Sequence, residues 1–147
     1  PPKTVRRQRQ MCIRDRISGG CYCGAIKYVS LGDIQASIQC HCRECQYITG
    51  GHPNVLVIVP LDKFNFVKGE PKTYKRKDIQ TAMSRLFCED CGTAIGTRNP
   101  NRPNSIILKV GTFDDPSVFK PEIAIFTIDK QKFHYIEDGI KTFEKKP

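Results

Sequence analysis

Gln39-Cys40-His41-Cys42-Arg43-Glu44-Cys45-Gln46 sets three thiols and an imidazole in six consecutive positions. Three cysteine sulfurs held that close together can grip one soft metal ion. A zinc site with four protein ligands is usually closed and structural, whereas one with three leaves a coordination position for water or substrate. The number of ligands at this stretch therefore decides between a fold-stabilising and a reactive site.

The other cysteines lie in tight pairs: Cys21-Tyr22-Cys23 upstream and Cys88-Glu89-Asp90-Cys91 downstream. Eight cysteines in 147 residues fit either a secreted disulfide scaffold or a metal protein. Bridging neighbours one or two residues apart closes strained rings that cross-link nothing distant, so the spacing favours metal. No secretory apolar segment and no run of about 20 apolar residues is present, which makes a reducing cytoplasm the default expectation and excludes a spanning helix. Leaving Cys12 aside, the seven remaining thiols divide into four and three. Joining Cys21 and Cys23 to Cys88 and Cys91 clamps the start of the domain to its middle. Cys40, Cys42 and Cys45 remain as a triplet drawn from one loop. Zinc is the expected occupant of the four, with an iron–sulfur cluster as its competitor. The triplet is either an open reactive site or a second structural site closed by His41, His52 or Cys12.

Around these clusters the pattern is that of short strands. Ala25–Ser30 and Ile34–Gln39 alternate apolar and polar residues about Leu31-Gly32-Asp33, which reads as a hairpin. Val55–Val59 is a continuous β-branched run ended by Pro60, the mark of a strand buried on both faces at the centre of a sheet. Further strands are expected at 64–67, 73–76, 83–87, 94–97, 105–110 and 123–128, with a last one over Phe133–Ile136. No window keeps a helical period. The fold class is therefore mainly β: a single zinc-binding domain of antiparallel sheets with zinc knuckles over 17–147.

With 39% hydrophobic and 9% aromatic residues and no Trp, the core is modest, and metal cross-links would supplement it. The formal charge of +9 suggests nucleic acid until it is located. Residues 1–16 hold six basic side chains against Asp15, or +5, leaving +4 for the rest. That bias suits an anionic small molecule better than a polyanion. Met11-Cys12-Ile13-Arg14-Asp15-Arg16 also resembles the translation of a sequencing-library adapter. Residues 1–16 are read as a non-native or disordered basic leader, and Cys12 as a poor ligand.

Gly20-Cys21-Tyr22-Cys23-Gly24, then Cys40-His41-Cys42-Arg43-Glu44-Cys45, then Phe87-Cys88-Glu89-Asp90-Cys91-Gly92 resembles the glutathione-dependent formaldehyde-activating enzymes and their relative, centromere protein V. The likeness extends to Val110–Pro116 and to Phe133–Gly139 and covers about residues 18 to 143. It implies a two-zinc, mainly β fold in which Cys21, Cys23, Cys88 and Cys91 hold a structural zinc. Cys40, Cys42 and Cys45 would hold a catalytic one, and because three thiolates weaken its Lewis acidity, this zinc is either labile and substrate-displaceable or permanently seated. The implied activity is that of a carbon–sulfur lyase, similar to S-(hydroxymethyl)glutathione synthase, which joins glutathione or a related thiol to formaldehyde or a similar aldehyde, or cleaves the adduct. A membrane or nucleic acid is not an expected partner. The alternative is a non-catalytic zinc module that binds nucleic acid or protein, as the likeness to centromere protein V permits.

The other polar candidates have plainer readings. His41, between two ligands, is expected to turn its ring away from the metal and bond to backbone. His52 is the better fourth ligand or proton carrier, although a loop histidine without a role is the simpler view. His134 reads as packing in a strand, and Asp114-Asp115-Pro116 as a turn. Arg98 and Arg102 could meet a substrate carboxylate but read more simply as solvated, as do the charges over Lys72–Lys77.

Overall fold

The computed structural model describes residues 16–147; the leader expected over 1–16, Cys12 included, lies outside the described residues except for Arg16. Among the described residues, eleven strands form two sheets. The smaller contains β1 (Ile17–Gly20), β2 (Lys27–Ser30) and β5 (Phe64–Lys68) in the order β1-β2-β5. The larger contains β3 (Ala36–Cys40), β4 (Asn54–Pro60), β6 (Lys72–Tyr74), β7 (Ser84–Phe87), β8 (Ala94–Arg98), β9 (Ser105–Lys109), β10 (Ile123–Ile125) and β11 (Lys141–Thr142). Its order is β11-β10-β3-β4-β9-β8-β7-β6. Pairing is antiparallel except at one side, where β10 runs parallel to both β3 and β11.

The main core lies between the sheets. Tyr28, Val57, Val59, Ile95, Ile106 and Leu108 are essentially inaccessible, and burying a side chain of this size contributes about 1.5–3 kcal/mol. Tyr28 packs against Phe64 and Phe66 at ring distances of 5.3 and 6.5 Å, and its hydroxyl meets Thr112 Oγ1 at 2.7 Å. The period of two along β4 turns Leu56 and Ile58 to the opposite face, where they meet Ile38 in a smaller cluster. Because both faces of β4 are covered, its sequence is a continuous apolar run, and it lies between β3 and β9 as expected.

Three expectations need correction. Residues 25–30 and 34–39 do not form a hairpin: β2 pairs with β1 and β5, whereas β3 joins the other sheet. Alternation marks a strand but not its partner, and here the connection crosses between sheets, with Leu31 N–H donating to Lys63 O and Gln35 N–H to Ile58 O. The strand expected over 123–128 stops at Ile125, since Phe126 has a φ of 54° and a 3-10 turn follows over Thr127–Asp129. No strand forms over Phe133–Ile136, which is irregular chain that meets the end of β3 where Gln39 Nε2 donates to Tyr135 O. Among the described residues there is a single α-helix, α1 (Arg43–Thr49). No helix is long and apolar enough to cross a membrane.

Candidate metal centres

The two cysteine pairs fold alike. Cys21 N–H donates to Ile26 O and Cys88 N–H to Thr93 O, in each case five residues on. Each loop then closes through a glycine N–H, Gly24 to Cys21 O and Gly92 to Cys88 O. Gly24 and Gly92 have φ of 81° and 77°, left-handed values that L side chains rarely take. The closure turns the following backbone toward sulfur, and Ile26 N–H donates to Cys21 Sγ at 3.2 Å.

The loops meet with Sγ of Cys21, Cys23, Cys88 and Cys91 all within 4.8 Å of one another. Cys21–Cys23 and Cys23–Cys88 sulfur separations are 3.6 and 3.8 Å. A tetrahedral ion with zinc–sulfur bonds of about 2.3 Å demands sulfurs about 3.8 Å apart, so these residues fit the group. Cys21 and Cys88 are buried, Cys23 and Cys91 exposed. The site thus caps the main core from outside.

The triplet is built differently, and not from a loop alone. Cys40 ends β3, Cys42 is the N-cap of α1, and Cys45 lies in the first turn of α1. Cys45 N–H donates to Cys42 Sγ at 3.3 Å, so the sulfur acts as the helix cap. This explains a helix in a stretch without helical period: capping and metal-ligand spacing, not amphipathicity, specify it. The three sulfurs lie within 4.8 Å of one another, and among the described residues no histidine or carboxylate joins them. The Cys40 and Cys45 thiols pull the Cys42 thiol far below its usual range, while Cys42, Cys45 and burial push Cys40 far above it. Protons are thus shared unequally among thiols that cannot all ionise together unless a cation replaces them, the condition a metal meets.

Neighbouring side chains define the rest of the site, and most carried no sequence signal. Asn54, opposite Cys40 on β4, donates through Nδ2 to Cys45 Sγ at 3.6 Å. Gln46 is buried and its Nε2 donates to His41 O at 2.8 Å and Asp129 O at 2.9 Å, tying α1 to the chain after β10. Glu44 accepts from Arg85, which also stacks over Tyr74, and from Arg76 Nη1 at 3.3 Å. Lys109 closes β9 on the same side, close enough for its charge to interact with those of Cys45, Cys40 and Cys42.

His41 does turn away from the sulfurs, but its ring partner is another histidine and not backbone: its Nδ1 lies 2.9 Å from that of His134. His134 is accordingly buried in a polar contact instead of packing in an apolar strand. His52 is exposed, edge-on to Phe133 at 5.6 Å, and does not join the triplet. Asp115 caps the turn Pro116–Val118 by accepting from Ser117 N–H, as the turn reading requires. Arg98 donates to Pro103 O, whereas the charge of Lys109 meets those of the triplet and that of Arg85. Arg76, expected to be solvated, instead bridges Glu44 and Asp78.

The family model described as glutathione-dependent formaldehyde-activating enzyme matches residues 16–129. The chain belongs to that family. The match spans all seven described cysteines and ends before the Phe133–Gly139 stretch that contains His134. No curated protein matches the chain. Among solved structures, the crystal structure of a Rhodobacter sphaeroides protein is similar with a TM-score of 0.55 and 16% identity, covering 86% of this chain and 98% of that one. At that identity the likeness concerns the fold. The two cysteine clusters of this formaldehyde-activating family member are sets that could hold metal, one with four thiols and one with three.

Proposed function

We propose that the protein is a zinc-dependent carbon–sulfur lyase, similar to S-(hydroxymethyl)glutathione synthase, that adds glutathione or a related thiol to formaldehyde or a similar aldehyde and cleaves the same adduct. The observation that carries this reading is the triplet: three converging sulfurs, no fourth ligand among the described residues, and the Lys109 ammonium near enough for its charge to meet theirs. The four-cysteine set takes a structural zinc in this reading, and the triplet a catalytic and exchangeable one. Zinc at three cysteines would favour the thiolate of an incoming thiol and polarise the aldehyde oxygen, and three thiolate ligands suit thiol exchange better than water activation.

The reaction requires no oxidant. A sulfur–carbon bond forms as the carbonyl π bond breaks, and the thiol proton ends on the former carbonyl oxygen. Asn54 holds Cys45 Sγ in place through its amide, which moderates that sulfur's electron density. Gln46 and the helix cap keep the three sulfurs convergent. Unpaired thiols in two clusters suit a reducing compartment, and the reading places the protein in the cytoplasm.

The test is the rate at which S-hydroxymethylglutathione forms from glutathione and formaldehyde, followed with the zinc-loaded protein and a Cys42→Ser variant. Acceleration by the parent alone is expected. Equal rates for the two proteins would end the proposal.

A further inference from the structure

Beside the triplet, a cavity of about 220 Å³ is lined by Ile48 of α1, Tyr74, Arg85, Leu86 and Thr97 of the sheet, and Lys109. The strand register explains why these residues converge. Cys40 is opposite Asn54, Leu56 is opposite Lys109, Thr97 is opposite both Ile107 and Arg85, and Arg85 is opposite Tyr74. With a period of two along each strand, Cys40, Asn54, Lys109, Thr97, Arg85 and Tyr74 share the outer face of the large sheet. The cavity and the sulfurs therefore lie on one face of the sheet, and α1 borders both, contributing Ile48 to the cavity and Cys45 to the triplet.

The two cations that line the cavity differ. The Arg85 guanidinium is held by Glu44 and by the Tyr74 ring. The Lys109 ammonium has no carboxylate or hydrogen-bond partner among the described residues, although its side chain is half-buried. An unpaired ammonium in a largely apolar recess is costly unless an anion meets it. Glu44 is taken up by Arg85 and Arg76, and the anions that reach Lys109 from this chain are the triplet thiolates, whose charge a bound zinc would largely offset.

We propose that Lys109, with Arg85 beside it, anchors a carboxylate of the substrate thiol, so that the site selects thiols whose body carries an anionic group within reach of the sulfur. The inference rests on the thiol-addition reading above and names its substrate class. Lys109 acts here as a binding residue. Arg85, already oriented by Glu44 and Tyr74, sets the direction from which the carboxylate enters.

The experiment is calorimetric binding of glutathione and of glutathione diethyl ester to the zinc-loaded full chain, its Lys109→Met variant and its Lys109→Arg variant, with zinc content and melting temperature measured for each. The parent should bind the free acid about 10-fold more tightly than the ester, the strength of one charge-assisted contact. Lys109→Met should lose that preference while binding the ester as the parent does, and Lys109→Arg should retain it. Three outcomes overturn the proposal: no preference in the parent, an unchanged preference in Lys109→Met, or an equal loss for acid and ester. The last would mean that Lys109 serves the thiolates and not the ligand. If the preference is present and depends on Lys109 but the protein does not accelerate formation of the hydroxymethyl adduct, the thiol-addition reading fails while the anchor stands.

Discussion

Nδ1 of His41 lies 2.9 Å from Nδ1 of His134, which joins the residue between two triplet cysteines to the chain beyond β10. The contacts around the pair assign its protons. His134 Nε2–H donates to Gly51 O at 2.8 Å, and His134 Nδ1 also accepts from Gln131 N–H at 3.2 Å. His41 Nδ1 is therefore the donor and His134 Nδ1 the acceptor. His41 Nε2 is left buried with no hydrogen-bond partner among the described residues.

Replacing His134 with Ala removes one acceptor and one donor from a buried contact and strands the His41 N–H. A loss of about 2–3 kcal/mol is expected, since a buried unsatisfied donor costs about 1–3 kcal/mol on top of the lost bond. Urea unfolding should show the loss. Zinc should leave the triplet faster in a chelator assay, because the His41 backbone lies between two of its ligands. An unchanged off-rate would show that the pair serves the fold alone.

Burial first, then the charges of His134 and Lys130, push the His41 imidazole down to about 4. The unfolded chain, with an ordinary value near 6.5, takes up the proton first. This contribution to stability is present above about pH 6.5 and is lost as pH falls toward 4. Denaturation midpoints of the parent should therefore fall more steeply over that window than those of His41→Gln. Thiol protonation at the metal sites contributes equally to both proteins, so parallel curves would refute the assignment.

The two cysteine sets should respond differently to single serines. Cys88 is 1% exposed and belongs to the set that joins residues 21–23 to residues 88–91. A structural zinc contributes an apparent 10–16 kcal/mol, about the whole stability of a domain, so Cys88→Ser should fail to fold. Cys42→Ser should keep its strand signal in circular dichroism and lose one of two zinc ions. Folded Cys88→Ser protein with full metal content would reverse the roles of the two sets.

Glu44→Gln unties Arg85 and Arg76 from α1. All three side chains are roughly a third or more exposed, so stability should change by less than about 1 kcal/mol. KM for glutathione should rise about 3-fold or more with kcat little changed, because Arg85 loses the partner that orients it beside the cavity. A fall in kcat at constant KM would place Glu44 in the chemistry instead.

Cysteine spacing and β-branched runs were enough to indicate two cysteine sets able to hold metal, a mainly β chain and a central strand over Val55–Val59. These features are local: a tight pair of cysteines constrains its own loop, and a continuous apolar run records burial on both faces wherever the strand lies. The sequence could not show which strands pair, because alternation over 25–30 and 34–39 is the same whether the two strands join each other or different sheets. It also hid α1, whose seven residues are specified by a sulfur cap and not by periodicity. Most of the site around the sulfurs was equally hidden. Asn54, Arg85, Lys109 and His134 come from elements far apart in the chain, and each resembles an ordinary strand or tail residue until pairing sets it beside the triplet. The sequence by itself determined which cysteines could hold metal, since ligand type and spacing are encoded within a few residues; only the tertiary structure decided what surrounds them, since long-range strand register determines which side chains share a face.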